Sequence, residues 1–323
     1  MTHPAFTRRV VTLALGLAAA LSAHAQATPP IRILVGFAAG GGVDTTARVI
    51  AESMSQTLSQ TVVVENRPGA GGLIAAQALK AAPADGTTLM LTNDHTVAIL
   101  PHTLKNPGFS TTKDFTPVAR VSELVFGLAA AADTQVTSVK DIATWARRNP
   151  GRTNFGTPAP GSMPEFAASL ISKTLGVDGV PAAYRGGAPM VADLTAGQIP
   201  FGLTSTFELL PFHKSQKIRI LAVSGPARRP ELAEVPTFDE LGIKELALPN
   251  ILGLYAPSGT PPAVVTRYSE AVRAALASEK VKERLQATGT VVSYGAPEAL
   301  AQGMQHISDT WAPIIRQSGF QPQ

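Results

Sequence analysis

The chain contains no cysteine. Disulfide staples, thiolate metal sites and a cysteine nucleophile are therefore excluded. Charge is scarce too: charged residues make up 15% of 323, with 27 basic against 23 acidic and a formal net charge of +4. No basic stripe is present to neutralise a phosphate backbone, so no nucleic-acid partner is expected. Histidine is limited to six residues, and His95, His102, His213 and His306 are scattered without the spacing of metal ligands. No metal and no cofactor are expected. Neither Gly-x-Ser-x-Gly nor His-Glu-x-x-His occurs, which leaves catalytic residues without a motif. A run of about 18 uninterrupted apolar residues, the length of a spanning helix, is also missing.

The N-terminus has the three parts of a secretory signal. Arg8 and Arg9 make a basic start, residues 10–21 an apolar core, and Ala23-His24-Ala25 a small-x-small cleavage site. Cleavage after Ala25 predicts an exported, periplasmic protein; general secretion and the twin-arginine route both fit. Loss of Arg8 and Arg9 leaves 25 basic against 23 acidic residues. An exported chain of this length without staples must rest on its core, and it is long for one core.

Beyond the signal, strand-like and helix-like segments alternate, which predicts α/β layers with mostly parallel strands. Residues 31–37 read as an apolar strand that runs into Gly40-Gly41-Gly42, with a helix opening at Asp44. A second strand at 62–64 leads to Gly69, Gly71 and Gly72. Such turns put unpaired N–H groups at the positive end of a helix, a place for a carboxylate or phosphate, and a Cβ branch at Gly40 is expected to fill it. Ser138/Asp141, Ser162/Glu165 and Thr237/Glu240 have capping-box spacing. Strands are expected at 88–92, 125–131, 153–156, 181–184, 199–203, 218–223 and 251–256. Helices are expected at 74–82, 189–196, 262–276, 279–287 and 297–317. No Pro/Gly/Ser linker divides the chain, so two lobes joined by crossing strands are expected, with residues 118–130 and 252–257 as the crossings.

The first glycine turn, with Glu65 ending the next strand, imitates a dinucleotide fingerprint, but Thr45 stands where the third glycine belongs. The loop from Gly156 to Ser162 forms a second strand-to-helix turn, stiffened by two prolines. Facing the first across a cleft, it could grip one small anion from the other side. Asp94-His95 reads either as a solvated turn or as a ligand reader. Glu65-Asn66-Arg67 reads as turn structure, with Arg67 paired to an acid.

In order along the chain come IRILVGFAAGGGVD, VVVENRPGAGG, AAPADGTTLML, KDFTPVA, YRGGAPMVADLTAGQIP, LAVSG, VPTFDELG and APSGTPPAVV. This ordered series resembles the Bug-type receptors, the extracytoplasmic solute-binding proteins of tripartite tricarboxylate transporters. The resemblance implies a two-lobed periplasmic-binding-protein fold of type 2, each lobe a mostly parallel sheet flanked by helices, with the ligand cleft between them. Residues 26–122 and 251–323 would form domain 1 and residues 123–250 domain 2. It implies a monomer that captures a small carboxylate, or a related aromatic acid or amide, and hands it to membrane permease subunits without chemistry. A sensory subunit of a two-component system is the alternative, and an exported hydrolase a remote one.

Carried over segment by segment, the resemblance implies that Phe37, Ala39, Gly40, Gly41 and Asp44 line the cleft from domain 1, with Asn93, Asp94 and His95 as a second loop. From domain 2 it implies Thr157, Pro158, Gly161 and Ser162, then Tyr184 with Gly186, and Thr204 with Ser205 where relatives often carry Asp-Asn. The proline-rich loop at 157–164 has fewer side-chain donors than the family pattern. A di- or tricarboxylate such as citrate is therefore not safely carried over, and an apolar or aromatic monocarboxylate, or a ligand with a donor for Asp94, fits at least as well.

Overall fold

The apolar run Ile31–Val35 forms β1, the parallel centre of a sheet whose core face leaves no room for water: Ile31, Ile33 and Val35 are fully buried. β2 (Val62–Asn66) and β3 (Thr88–Asn93) pair with it in parallel on either side. In this computed structural model, which describes residues 29–248, 250–287, 290–318 and 320–322, six strands make the first sheet in the order β11-β4-β10-β3-β1-β2. β4 (Phe115–Leu124), β10 (Asn250–Pro257) and β11 (Val291–Gly295) enter it antiparallel. The second sheet runs β7-β6-β8-β5-β9, from β5 (Phe126–Ala131), β6 (Asn154–Thr157), β7 (Val180–Ala183), β8 (Phe201–Ser205) and β9 (Ile218–Val223). It holds two parallel and two antiparallel pairings. Both sheets are thus mixed rather than mostly parallel, because β4, β5 and β10 enter their sheets opposed to their neighbours.

The helices are α1 (Gly42–Leu58), α2 (Leu73–Lys80), α3 (Asp141–Arg148), α4 (Met163–Leu175), α5 (Gly187–Thr195), α6 (Thr206–Lys214), α7 (Pro262–Ala277), α8 (Glu279–Gln286) and α9 (Pro297–Gln317). Residues 47, 50, 51, 54 and 58 of α1 are buried on one face, as their spacing demands. They pack with β1, β10 and α7 into one core (Met54, Leu254, Val272), while α9 brings Trp311 against the other side of the sheet. We call the first sheet with α1, α2 and α7–α9 lobe 1, and the second with α3–α6 lobe 2.

β4 passes into β5 through the single residue Val125, within the expected crossing at 118–130. The return differs: β10 lies wholly in the first sheet, so the chain crosses back within residues 224–249, ahead of the expected 252–257. One apolar cluster runs through both lobes, and Phe320, beyond α9, meets Phe166 of α4 edge-on with centroids 5.4 Å apart. The expected signal segment and its cleavage site after Ala25 lie outside the described residues.

Candidate functional site

Asp44 builds the first glycine turn. It is buried, and its Oδ2 accepts from the Gly40 N–H at 2.8 Å and from Arg48 Nε at 3.0 Å, while Oδ1 accepts from Asn66 Nδ2 at 2.8 Å. Asn66 Nδ2 also reaches the Phe37 carbonyl at 3.2 Å, so the end of β2 pins the loop that follows β1. Burial alone would raise the Asp44 pKa, but the bonds from Arg48, Gly40 and Asn66 outweigh it and hold the carboxyl below its usual value. The Asp44 carboxylate is thus consumed by the scaffold. Glu65, the acid of the imitated dinucleotide motif, is likewise bound, to Arg67 at 2.7 Å and Arg32 at 3.5 Å.

The two glycine turns touch backbone to backbone: a Cβ on Gly36 would lie 2.5 Å from Gly72 Cα. Gly72 has φ +96° and packs under Thr96, so a side chain there would meet both strain and overlap. Thr96 Oγ1 donates to the Gly71 carbonyl at 2.9 Å and accepts from Thr92 Oγ1 at 2.8 Å. These bonds clamp a π-turn, His95–Ile99, to the second glycine loop. π-turns frequently mark functional sites.

From lobe 2, β6 runs into the proline loop and α4. The Ser162 hydroxyl donates to the Ala159 carbonyl at 2.6 Å rather than capping α4, and the Gly161 N–H goes to the Glu165 carboxylate. The expected capping box is therefore not formed: Glu165 takes the N–H of the residue before the N-cap, Ser162, and the Ser162 hydroxyl turns back to the loop. Tyr184 donates its hydroxyl to Asp193 Oδ2 at 2.8 Å; burial and that carboxylate push its pKa up to about 12. Thr204 and Ser205 both donate to Glu208 Oε2.

These loops enclose a cavity of about 610 Å³ between the ends of the two sheets. Of the sequence candidates, Phe37, Gly41, Asn93 and His95 line it from lobe 1, and Pro158, Ser162, Tyr184, Gly186, Thr204 and Ser205 from lobe 2. Ala39, Gly40, Asp44, Asp94, Thr157 and Gly161 do not. Thr157 is fully buried within β6, and Ala39 and Gly40 are exposed on the outer side of their turn. A Cβ on Gly40 would meet nothing within 4 Å. Gly40 thus stands outside the cavity lining, and its φ of +83° makes a substitution there costly through backbone strain alone.

Asp94 is buried behind the wall, and its Oδ1 takes the Nδ2 of Asn250, which does line the cavity. Burial raises its carboxyl to about 7, against bonds from the backbone of His95 and Ile251 and from Asn250. His95 is 7% exposed, neither ring nitrogen has a hydrogen-bond partner among the described residues, and burial lowers its pKa to about 4. The imidazole thus stands neutral at the cavity wall, with both nitrogens buried behind its lining face and Nε2 packed against Gly71. Sequence reasoning missed Asn250, Arg185, Phe126, Phe207 and Glu208, all of them lining residues. Ser205 and Glu208 have S-x-x-E spacing, which could have pointed to Glu208; Asn250 left no signal, because pairing across 156 positions joins it to Asp94. Among the described residues no three His, Cys, Asp or Glu gather to hold a metal.

The sequence matches the model of the Tripartite tricarboxylate transporter family receptor, TctC, over residues 46–320. It is 32% identical over 287 residues to the protein of the tcbD-tcbE intergenic region of Pseudomonas sp. strain P51, covering 88% of this chain and 85% of that one. The structure superposes on the periplasmic binding protein BugD with a TM-score of 0.82 at 31% identity, covering 91% of this chain and 99% of that one. Rpa4515 from R. palustris, solved with adipate, gives 0.84 at 29% identity, covering 91% and 98%. Family match, shared two-lobed architecture and a cavity between the lobes agree: the chain belongs to the tripartite tricarboxylate transporter receptor family.

Proposed function

We infer that this protein is an exported solute receptor. It captures a small carboxylate, or a related aromatic acid or amide, between its lobes and delivers it unaltered to a membrane permease. The observation that carries this reading is the cavity of about 610 Å³, lined from both lobes by strand-to-helix turns. Free N–H groups at the start of α1 can hold a carboxylate without a buried cation. Phe37 and the proline loop supply flat apolar walls for a carbon skeleton. The adipate-bound relative supports an organic acid as the solute.

Closure would hinge where β4 passes into β5 and within residues 224–249, with contacts from both lobes favouring the closed state. Three or four charge-assisted hydrogen bonds of about 1.5–3 kcal/mol each, with apolar burial, suffice for micromolar binding, about −8 kcal/mol. Export with cleavage after Ala25, a monomeric state and a permease partner complete the reading.

A thermal-shift screen of ligand-stripped mature protein tests it, covering aliphatic di- and tricarboxylates, aromatic acids, amides and amino acids. A solute at 100 times its Kd adds about 2.7 kcal/mol of stability and raises Tm. A rise with one chemical class is expected; no rise with any class contradicts the reading. Loss of uptake of that solute on deletion of the gene, with signalling intact, separates delivery from sensing.

A further inference from the structure

The polar groups left open in the cavity wall specify more of the solute, provided that the receptor reading above holds. Glu208, in the first turn of α6, lines the cavity from lobe 2. Its Oε2 accepts from the Thr204 and Ser205 hydroxyls, and Oε1 has no hydrogen-bond partner among the described residues. A carboxylate serving only as a helix cap would engage the Ser205 backbone N–H; here it turns to the hydroxyls instead, and Ser205 makes no side-chain cap. It lies flat against Gly187 at the start of α5, where any Cβ would overlap it. The two lobe 2 hydroxyls expected to read the ligand are thus spent on holding a negative charge at the cavity wall.

The lobe 1 wall offers no such open acceptor. Asn250 is 1% exposed, its Nδ2 is committed to Asp94, and its Oδ1, like both ring nitrogens of His95 beside it, is buried without a partner among the described residues. The acceptor open to a solute is therefore Glu208 Oε1, and among the described residues the lining carries one arginine and no lysine, the exposed Arg185. A plain dicarboxylate would bring only more acceptors and set like charge against Glu208. An N–H group suits that open carboxylate oxygen.

We propose that the solute carries an N–H donor group, a protonated amine or a carboxamide, which pairs with the Glu208 carboxylate. Any carboxylate on the same solute is left to the glycine-turn N–H groups and Arg185. Glu208 is then the residue that determines specificity in lobe 2.

Calorimetry on the mature protein at neutral pH tests this with two matched series: adipate, ε-aminohexanoate and adipamate; terephthalate, para-aminomethylbenzoate and terephthalamate. The N–H-bearing members are expected to bind about ten- to hundredfold more tightly than their diacids, the worth of one charge-assisted hydrogen bond. Glu208→Leu should erase that margin. Glu208→Gln, which preserves shape and an acceptor oxygen, should erase it for the amines and keep it for the carboxamides, which separates the two sources of N–H. Unfolding curves of both variants confirm that they are folded. A margin that survives in Glu208→Leu overturns the proposal. So does binding confined to solutes without an N–H group, here or in the wider screen, and that result leaves the receptor reading standing. No binding by any solute overturns both.

Discussion

Burial moves two adjacent side chains in opposite directions. Asp94 holds its proton up to about pH 7, so the native state binds more protons than the unfolded chain from about pH 4 upward, and the stability this contributes is lost as pH rises through about 7. His95 loses its proton down to about pH 4, so its contribution is present above the unfolded imidazole value and is lost as pH falls through about 4. Between about pH 4 and 6.5 the two slopes oppose each other. Asp94→Asn removes one of them, and its stability should rise more steeply with pH over that window than that of the wild type. Urea midpoints across the window measure this; parallel curves would mean that Asp94 ionises normally. Gly72 gives a second residue-scale prediction. Gly72→Ala meets Thr96 at a φ of +96° and should cost about 2–3 kcal/mol, read as a lower urea midpoint at unchanged slope.

At the scale of elements, the glycine turn before α1 is held by one carboxylate with three partners. Asp44→Ala should cost about 2–3 kcal/mol, since it strands the Gly40 N–H and the Asn66 amide, and differential unfolding measures it. Because the Asp44 pKa is lowered in the fold, its contribution is present above the ordinary carboxyl range and is lost as pH falls through the folded value. Asp44→Asn should flatten that acid limb. Elements with strong periodicity were legible in sequence: β1, α1, α7 and α9 stand within a few residues of where apolar spacing puts them. α6 was not, because Pro211 sits inside it and breaks the helical signal. β11 was not, because its residues Val291–Tyr294 are only half buried and pair on one side, with β4. The π-turn at His95 was also invisible, since Thr96 bonds to residues of two other segments to make it.

For the whole molecule, alternation of strand and helix was enough to predict α/β layers, and length without a dividing linker to predict two lobes, but not the direction of every strand. Pairing of β4, β5 and β10 depends on where the chain changes sheets, and a single residue, Val125, makes the first change. The candidate site was legible where backbone shape decides it, at Gly41, Pro158 and Gly186, which line the cavity. It was obscure where side chains from distant segments trade partners. Asp44 and Asp94 look like ligand readers in sequence, yet one carries a turn and the other carries Asn250. Receptor function requires that a solute engage both lobes at once. Hydrogen–deuterium exchange with and without the solute that most raises Tm tests this directly. The account predicts slowed exchange together at residues 40–44 and 69–72 of lobe 1 and at residues 184–187 of lobe 2. Protection confined to one lobe, or lying away from these turns, would contradict it.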